Sequence, residues 1–444
     1  MRKRSLLLVA ILLVGVVLGA AYAAMAQERP VTIRYWADPR FVSMIGMEDI
    51  TKEPGDYERL QAQRFMEMYP HVTVEVQSLA WEDLQPKVVA AIMAGNPPDV
   101  LKDYLGRTAQ YAHAGLLEDL YQILPPEVLA DYNPSFLDLY TINGELHALP
   151  SHAWAAVMAG NRRVWEAKGV AHLLPDPDNP RWTIDEFTEA LRAVAEPGAL
   201  WPLGMYFSPD GQGDYHYLAF FWGFGANLYN DDFSAVALNS PEGVRALEYL
   251  VELAREGLIQ PGSTTASAAE LENMMWRGHV AIQGATLGIW NTLEVARQDG
   301  RVLTDVELFW AQHPHVPGVD RGLAVGPTGF AVFKQTDDYK RYWIGKFLEF
   351  IDSPEYQREY VLNSGQFPTR LSVDNPLVND PHYAGVNRML QELGAEDLGL
   401  TSPKYNEVRA LLAPQLQAAI LGQKTPAQAL ADFEREANRV LQQP

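Results

Sequence analysis

The sequence predicts an α/β fold, either as two domains or as one large unit cut into two lobes. Three observations carry this. About a hundred residues beyond an apolar leader alternate strand and helix. A later stretch repeats that style. The chain's 444 residues also exceed the roughly 100–200 of a single domain.

Residues 1–26 read as a secretory signal peptide outside the fold. Arg2, Lys3 and Arg4 are followed by an apolar run from Leu6 to Leu18, and Ala24-Met25-Ala26 offers a cleavage site before Gln27, with Ala21-Tyr22-Ala23 as a second candidate. The apolar run of thirteen residues falls short of the ~20 that span a bilayer. The chain is therefore expected to be exported and soluble, periplasmic or extracellular. It has no cysteine, so a Cys-anchored lipoprotein is not expected.

Val31 to Trp36 alternates in polarity and predicts a strand. A polar segment with Pro and Gly leads to a helix over 57–68, stopped at Tyr69-Pro70. Val72, Val74 and Val76 alternate in a second strand. Leu84, Val88, Ala91 and Ile92 sit at helical spacing, ended by Gly95 and Pro97-Pro98. Asp99-Val100-Leu101 predicts a third strand. The order β-α-β-α-β implies a mostly parallel sheet.

Further along, Thr183-Ile184-Asp185-Glu186 forms a capping box, and Ser240-Pro241 opens a helix with Pro where its missing donor costs nothing. Strands are predicted over 279–283 and 329–333. Helices are predicted over 338–351 and from Ser353-Pro354 and Thr425-Pro426. Three aromatic-rich stretches, 201–232, 285–290 and 313–329, read as irregular.

Composition excludes several functions. Without cysteine there is no thiol nucleophile, Cys-ligated zinc, iron–sulfur cluster or disulfide. A net charge of −21 argues against nucleic acid and anionic membranes. P-loop, G-x-S-x-G and H-E-x-x-H motifs are missing. Gly223-Phe224-Gly225 lacks the third glycine of a dinucleotide site. His313-Pro314-His315 has no evident third metal ligand and reads as a turn. Asp176-Pro177-Asp178-Asn179 lacks the Gly and distal Glu of a calcium loop. Asp231-Asp232 and Asp337-Asp338 read as solvated surface. No cofactor, metal or catalytic residue is expected.

Aromatic density at apparent strand ends and loops points instead to binding. Ligands of open α/β sheets lie beyond the carboxyl ends of strands. Flat rings suit the apolar face of a pyranose, and carboxylates or amides suit its hydroxyls. The candidate ligand-binding residues are Trp36, Asp38, Asp103, Tyr104, Trp154, Tyr215, Trp222, Trp290 and Thr328. Trp165, Trp182, Trp276 and Trp343 are assigned to packing.

The order of several loose motifs resembles the extracellular solute-binding proteins of ABC importers, family 1, in the branch that includes maltose-binding proteins. Asn96-Pro97-Pro98-Asp99-Val100 is similar to the family's motif before its third strand, and Gly115-Leu116-Leu117-Glu118-Asp119-Leu120 to its helix start. Asn143-Gly144-Glu145-Leu146-His147-Ala148-Leu149-Pro150 resembles its hairpin at the first inter-lobe crossing, followed by Asn161-Arg162-Arg163-Val164-Trp165. Met274-Met275-Trp276-Arg277-Gly278-His279-Val280-Ala281-Ile282, Gly329-Phe330-Ala331-Val332-Phe333-Lys334 and the stretch from Trp343 to Pro368 continue the likeness.

The resemblance implies a two-lobed periplasmic-binding-protein fold of type II, with a multi-crossover hinge and a ligand cleft between the lobes. Crossings would fall near 150–159, 309–317 and 365–371. Lobe one would be 27–150 plus 316–366, and lobe two 151–315 plus 367–444. The implied function is a non-enzymatic, monomeric receptor that delivers a di- or oligosaccharide to the ABC permease subunits. By position in the family, Asp103 and Tyr104 would supply first-lobe sugar contacts. Trp154 would follow the hairpin, Trp290 would stack on the sugar, and Trp222 would line the second lobe.

Gly326-Pro327-Thr328 departs from the family's Gly-Gly, and residues 41–56 have no counterpart there and are a candidate cap over the cleft. The alternatives are a glycerophosphodiester or other anion held by Arg40, Arg107 or Arg321, a polyamine held by carboxylates, and a secreted glycoside hydrolase with two carboxyls about 5–9.5 Å apart.

Overall fold

The computed structural model of the chain describes residues 29–38, 44–79, 81–207, 213–375 and 381–443. The leader call at 1–26 lies outside the described residues, as does Arg40.

The first part of the chain folds as β1 (Val31–Ala37), α1 (Asp56–Met68), β2 (Val72–Ser78), α2 (Trp81–Met93), β3 (Val100–Tyr104) and α3 (Leu105–His113). A two-residue-per-arm hairpin, Thr141–Ile142 with Glu145–Leu146, leads into β4 (Ala148–Ala155) and β5 (Val157–Asn161). Then come α4 (Ile184–Val194), β6 (Trp201–Gly204), α5 (Gly213–Gly223), α6 (Pro241–Arg255), α7 (Ala268–Trp276), β7 (Val280–Ala285), α8 (Ile289–Gln298) and β8 (Leu308–Ala311). The chain ends with β9 (Leu323–Val332), α9 (Asp338–Ile351), α10 (Pro354–Ser364), β10 (Phe367–Pro368), α11 (Pro381–Leu393), β11 (Ala395–Glu396), α12 (Tyr405–Ile420) and α13 (Pro426–Leu441).

Two main sheets result. The first has the order β10-β4-β9-β3-β1-β2, with β11 beside β9, and the second has the order β8-β5-β7-β6. Strands β1, β2 and β3 are parallel as expected. Strand β9 then enters antiparallel between β3 and β4, so the sheet is mixed. The central strands β3, β4 and β9 are buried along their whole length, whereas edge strand β2 alternates. That contrast follows from helices covering both faces at the centre.

The sheets meet at very short passages. Only Ala156 separates β4 from β5, and its N–H donates to Ala324 O at 2.8 Å. The boundary expected at residue 150 therefore falls inside β4, which stays in the first sheet to Ala155. A second passage runs from β8 to β9, where Gln312 Nε2 donates to Arg321 O at 2.8 Å.

Two stretches expected to be irregular are ordered. Residues 201–232 hold β6 and α5, and β9 takes up 323–329, the last part of 313–329. From Tyr215 to Trp222 every residue of α5 is buried, and a helix apolar all round carries no periodic signal. In β9, Pro327 punctuates the sequence, and the strand accommodates it with a register shift just beyond it, between Thr328 and Gly329. Residues 44–56 fold back onto α10, where Met44 packs with Tyr57, Tyr356 and Tyr360.

The helix starts match their sequence signals. Thr183 accepts from the Glu186 N–H, while Glu186 accepts from the Thr183 N–H at 2.8 Å. Trp165, Trp182, Trp276 and Trp343 are all buried in packing, as assigned. The Thr183→Ala variant should lose about 1 kcal/mol, read as a lower midpoint in urea denaturation, and Thr183→Ser should retain most of the stability.

Candidate ligand cleft

Strand β3 delivers the first two candidates, which sit on the strand and its junction with α3 rather than in a loop. Asp103 faces away from Lys102 and Tyr104 and is fully buried. One turn into α3, Arg107 donates to it from Nε at 2.9 Å and from its NH2 group at 2.6 Å, and the Tyr104 N–H adds a bond at 2.8 Å. Burial pushes the Asp103 carboxyl up and Arg107 pulls it down. On Arg107 burial acts against the charge, and Asp103 more than offsets it, so the guanidinium is held above its usual range. The fork geometry makes this a bidentate ion pair. Asp103 thus positions Arg107, whose guanidinium carbon lies 4.9 Å from the centre of the Tyr104 ring. The Tyr104 hydroxyl is pushed up to about 12 by burial and donates to Asn406 Oδ1 at 2.6 Å.

Trp154 comes from β4. It sits opposite Gly326 in β9, and a Cβ on Gly326 would lie 1.9 Å from the indole. The lack of a side chain at Gly326 is what makes room for the indole against the strand. Thr328 pairs in register with Tyr104 on one side and His152 on the other, and its buried Oγ1 has no hydrogen-bond partner among the described residues.

From the other sheet's side, α5 places the Tyr215 ring 4.4 Å from Trp154, at 48° between planes. The preceding Asp214 accepts from the Tyr405 hydroxyl at 2.7 Å and pairs with Arg409 at 3.3 Å. Burial acts against the charge on Arg409, and Asp214 beside it holds the guanidinium well above its usual range. Strands β3, β4 and β9 with helices α5 and α12 therefore converge. Asp103, Tyr104, Trp154, Tyr215 and Thr328 are brought together, with two ion pairs that cancel in charge.

The remaining candidates lie apart from this group. Trp36 is half-buried on β1, packed against the first core. Asp38 is buried beyond β1, close enough to push the Asp103 carboxyl up. Trp290 is half-buried in the first turn of α8. Trp222, two turns along α5 from Tyr215, has Arg321 5.5 Å from its ring and lines a cavity of about 20 Å³ with His313, His315 and Gln312. That is room for about one water.

His313 stacks on His216 with ring centres 5.7 Å apart. Burial pushes His216 down to about 3 and His313 down as well, keeping both neutral. No group of three or more potential metal ligands occurs among the described residues. Asp232 and Asp337 accept backbone N–H groups at a turn and a helix start.

Sequence reasoning missed Asp214, Tyr405, Asn406 and Arg409. Asp214 and Tyr405 are 191 positions apart, and no local pattern joins them. The Gly326→Ala variant should displace the Trp154 ring at a cost of about 1–3 kcal/mol. The expected readouts are a lower denaturation midpoint and altered tryptophan fluorescence, and unchanged values would contradict the packing described.

Comparison with known proteins agrees with this architecture. A maltotriose-binding protein of Pyrococcus abyssi is 22% identical over 79% of this chain and 76% of its own. An sn-glycerol-3-phosphate-binding periplasmic protein of Salmonella typhimurium is 22% identical over 86% of this chain and 88% of its own. An ABC transporter solute-binding protein of Thermotoga lettingae, solved with α-D-tagatose, superimposes with a TM-score of 0.76 at 22% identity, covering 92% of this chain and 99% of that one. The chain's two-sheet α/β architecture is the two-lobed fold of these solute-binding proteins. Residues 49–358 match the bacterial extracellular solute-binding protein family, and the chain belongs to it.

Proposed function

We propose that this chain is the carbohydrate receptor of an ABC importer, binding a di- or oligosaccharide between its lobes and delivering it to the permease. The observation that carries the reading is the convergence of Tyr104, Trp154 and Tyr215 from three elements, with the charges beside them already paired. Aromatic faces stack on sugar rings. Asn406, Thr328 and the ion-paired groups suit hydroxyls. Trp290, Trp36, Asp38 and Trp222 are proposed as outer contacts on the walls that a larger saccharide reaches.

The lobes are taken to meet at Ala156 and within 312–322, where the chain passes between sheets. Lobe one comprises residues 27–155 and the later strands and helices that return to the first sheet. Lobe two carries the second sheet and the C-terminal helices. The ligand promotes closure only through its greater affinity for the closed arrangement. Export through the leader, a soluble periplasmic or extracellular location, a monomeric state and the absence of enzymatic activity complete the reading.

An anionic ligand is less well supported. Arg107 is committed to Asp103 and Arg409 to Asp214. Arg321 donates to Asn227 at 2.8 Å and pairs with Glu396. A phosphate would have to break one of these pairs and leave a carboxylate beside it. A neutral polyol need not.

A thermal-shift screen of the refolded protein against mono-, di- and oligosaccharides, with glycerol 3-phosphate alongside, tests this. A ligand at a hundred times its Kd adds about 2.7 kcal/mol to the native state, so a clear rise with one sugar class is expected. Trp154→Ala and Tyr215→Ala should each weaken that binding about 30-fold, near 2 kcal/mol, measured by titration calorimetry. A rise with glycerol 3-phosphate and none with any sugar would overturn the carbohydrate reading.

A further inference from the structure

The end of α10 meets the start of α8 where the two sheets face each other. α10 packs on β4 and β10 of the first sheet, and α8 follows β7 of the second. The last four carbonyls of a helix have no partner within it. Asn363 is the penultimate residue of α10, and its carbonyl accepts from the Asn291 side-chain amide of α8. The approach is backbone-close. A Cβ on Gly365 would lie 3.4 Å from Leu287 O, and one on Gly288 would lie 3.5 Å from Ser364 O. The partial charges also match, since the negative end of α10 faces the positive end of α8.

The same asparagine is tied on its other side. Its Oδ1 accepts from the Ile45 N–H at 2.8 Å, and its Nδ2 donates to Glu359 O at 2.9 Å. Residues 44–56 are thereby anchored to α10, with Met44 packed among Tyr57, Tyr356 and Tyr360, and the segment is tied to itself by Thr51 Oγ1, which accepts from the Met44 N–H at 2.9 Å. Asn363 therefore moves with the first lobe and Asn291 with the second.

We propose that Asn291 and Asn363 form an inter-lobe clasp that holds the closed arrangement before any ligand is bound. The 44–56 segment serves as its first-lobe anchor. When the lobes part, the Asn363 carbonyl and the Asn291 amide exchange each other for water, and closing recovers the bond without desolvating a charge. Apparent affinity scales with the fraction already competent to bind, so the clasp raises affinity for whatever the cleft accepts. The inference rests on the lobe movement proposed above and is independent of the ligand's identity.

The chain has no cysteine, so Met93→Cys and Leu303→Cys, at positions 84% and 70% exposed, place one spin label on each lobe. Distance distributions of the ligand-free protein are compared with Asn291 intact, with Asn291→Ala, and with the near-isosteric Asn291→Asp, whose carboxylate faces the carbonyl. The expected result is a closed population with Asn291 intact and a shift of about three- to tenfold toward the longer distance with Asn291→Ala, the range one ordinary hydrogen bond allows. Asn291→Asp should shift at least as far. Thermal midpoints of the ligand-free variants should match the parent, separating opening from unfolding. A parent that is already open, or variants with the parent's distribution, would overturn the clasp. Neither outcome depends on whether a sugar binds.

Discussion

Strands β4 and β9 run antiparallel beside the point where the chain passes between sheets, and the Trp154 indole fills the space that a side chain at Gly326 would need. Much of the cleft depends on this packing. The indole sits close against β9 at Gly326 and meets the Tyr215 ring that the buried helix α5 brings to it. Two residues along β9 from Gly326, Thr328 pairs in register with both Tyr104 and His152. A bulkier residue at 326 would move the wall on which three elements converge.

Around this wall the protein settles its charges internally. The chain as a whole is strongly acidic, yet the groups beside the aromatics are paired, Asp103 with Arg107 and Asp214 with Arg409. Buried ion pairs cost desolvation and contribute little net stability, so their presence is better explained by positioning. Arg107 is held over the Tyr104 ring, and Arg409 and Tyr405 hold Asp214 beside Tyr215. The result is an aromatic surface of near-zero net charge inside an anionic molecule. The clasp at the ends of α8 and α10 follows the same economy, because it joins two neutral amide groups where the lobes must come apart.

Elements with local causes were legible in the sequence. β1 and β2 announce themselves by alternation, and α4, α6 and α13 by their caps. Helix α5 was not, since uniform burial erases the pattern that marks a helix face. Of β9 only the end was, as the strand over 329–333, because Pro327 and the neighbouring glycines read as a break while the strand absorbs them with a register shift. Of the site candidates, those that the structure brings together at strand ends and on the buried helix were picked out by residue type alone. Asp103 was read as a hydroxyl ligand and Arg107, four residues on, only as an anion binder, so their pairing with each other was not foreseen.

By itself, then, the sequence determined the α/β alternation, the starts of several helices, the lack of any thiol chemistry, the acidic charge and the motif order of the family. All are properties of neighbouring residues or of composition. Only the tertiary structure decided which aromatics meet, that Asp103 pairs with Arg107, that Tyr405 and Arg409 gather on Asp214, and that Asn291 reaches Asn363. Those contacts join residues far apart in the chain, and their geometry is set by strand register and helix packing. Neither leaves a signal at short range.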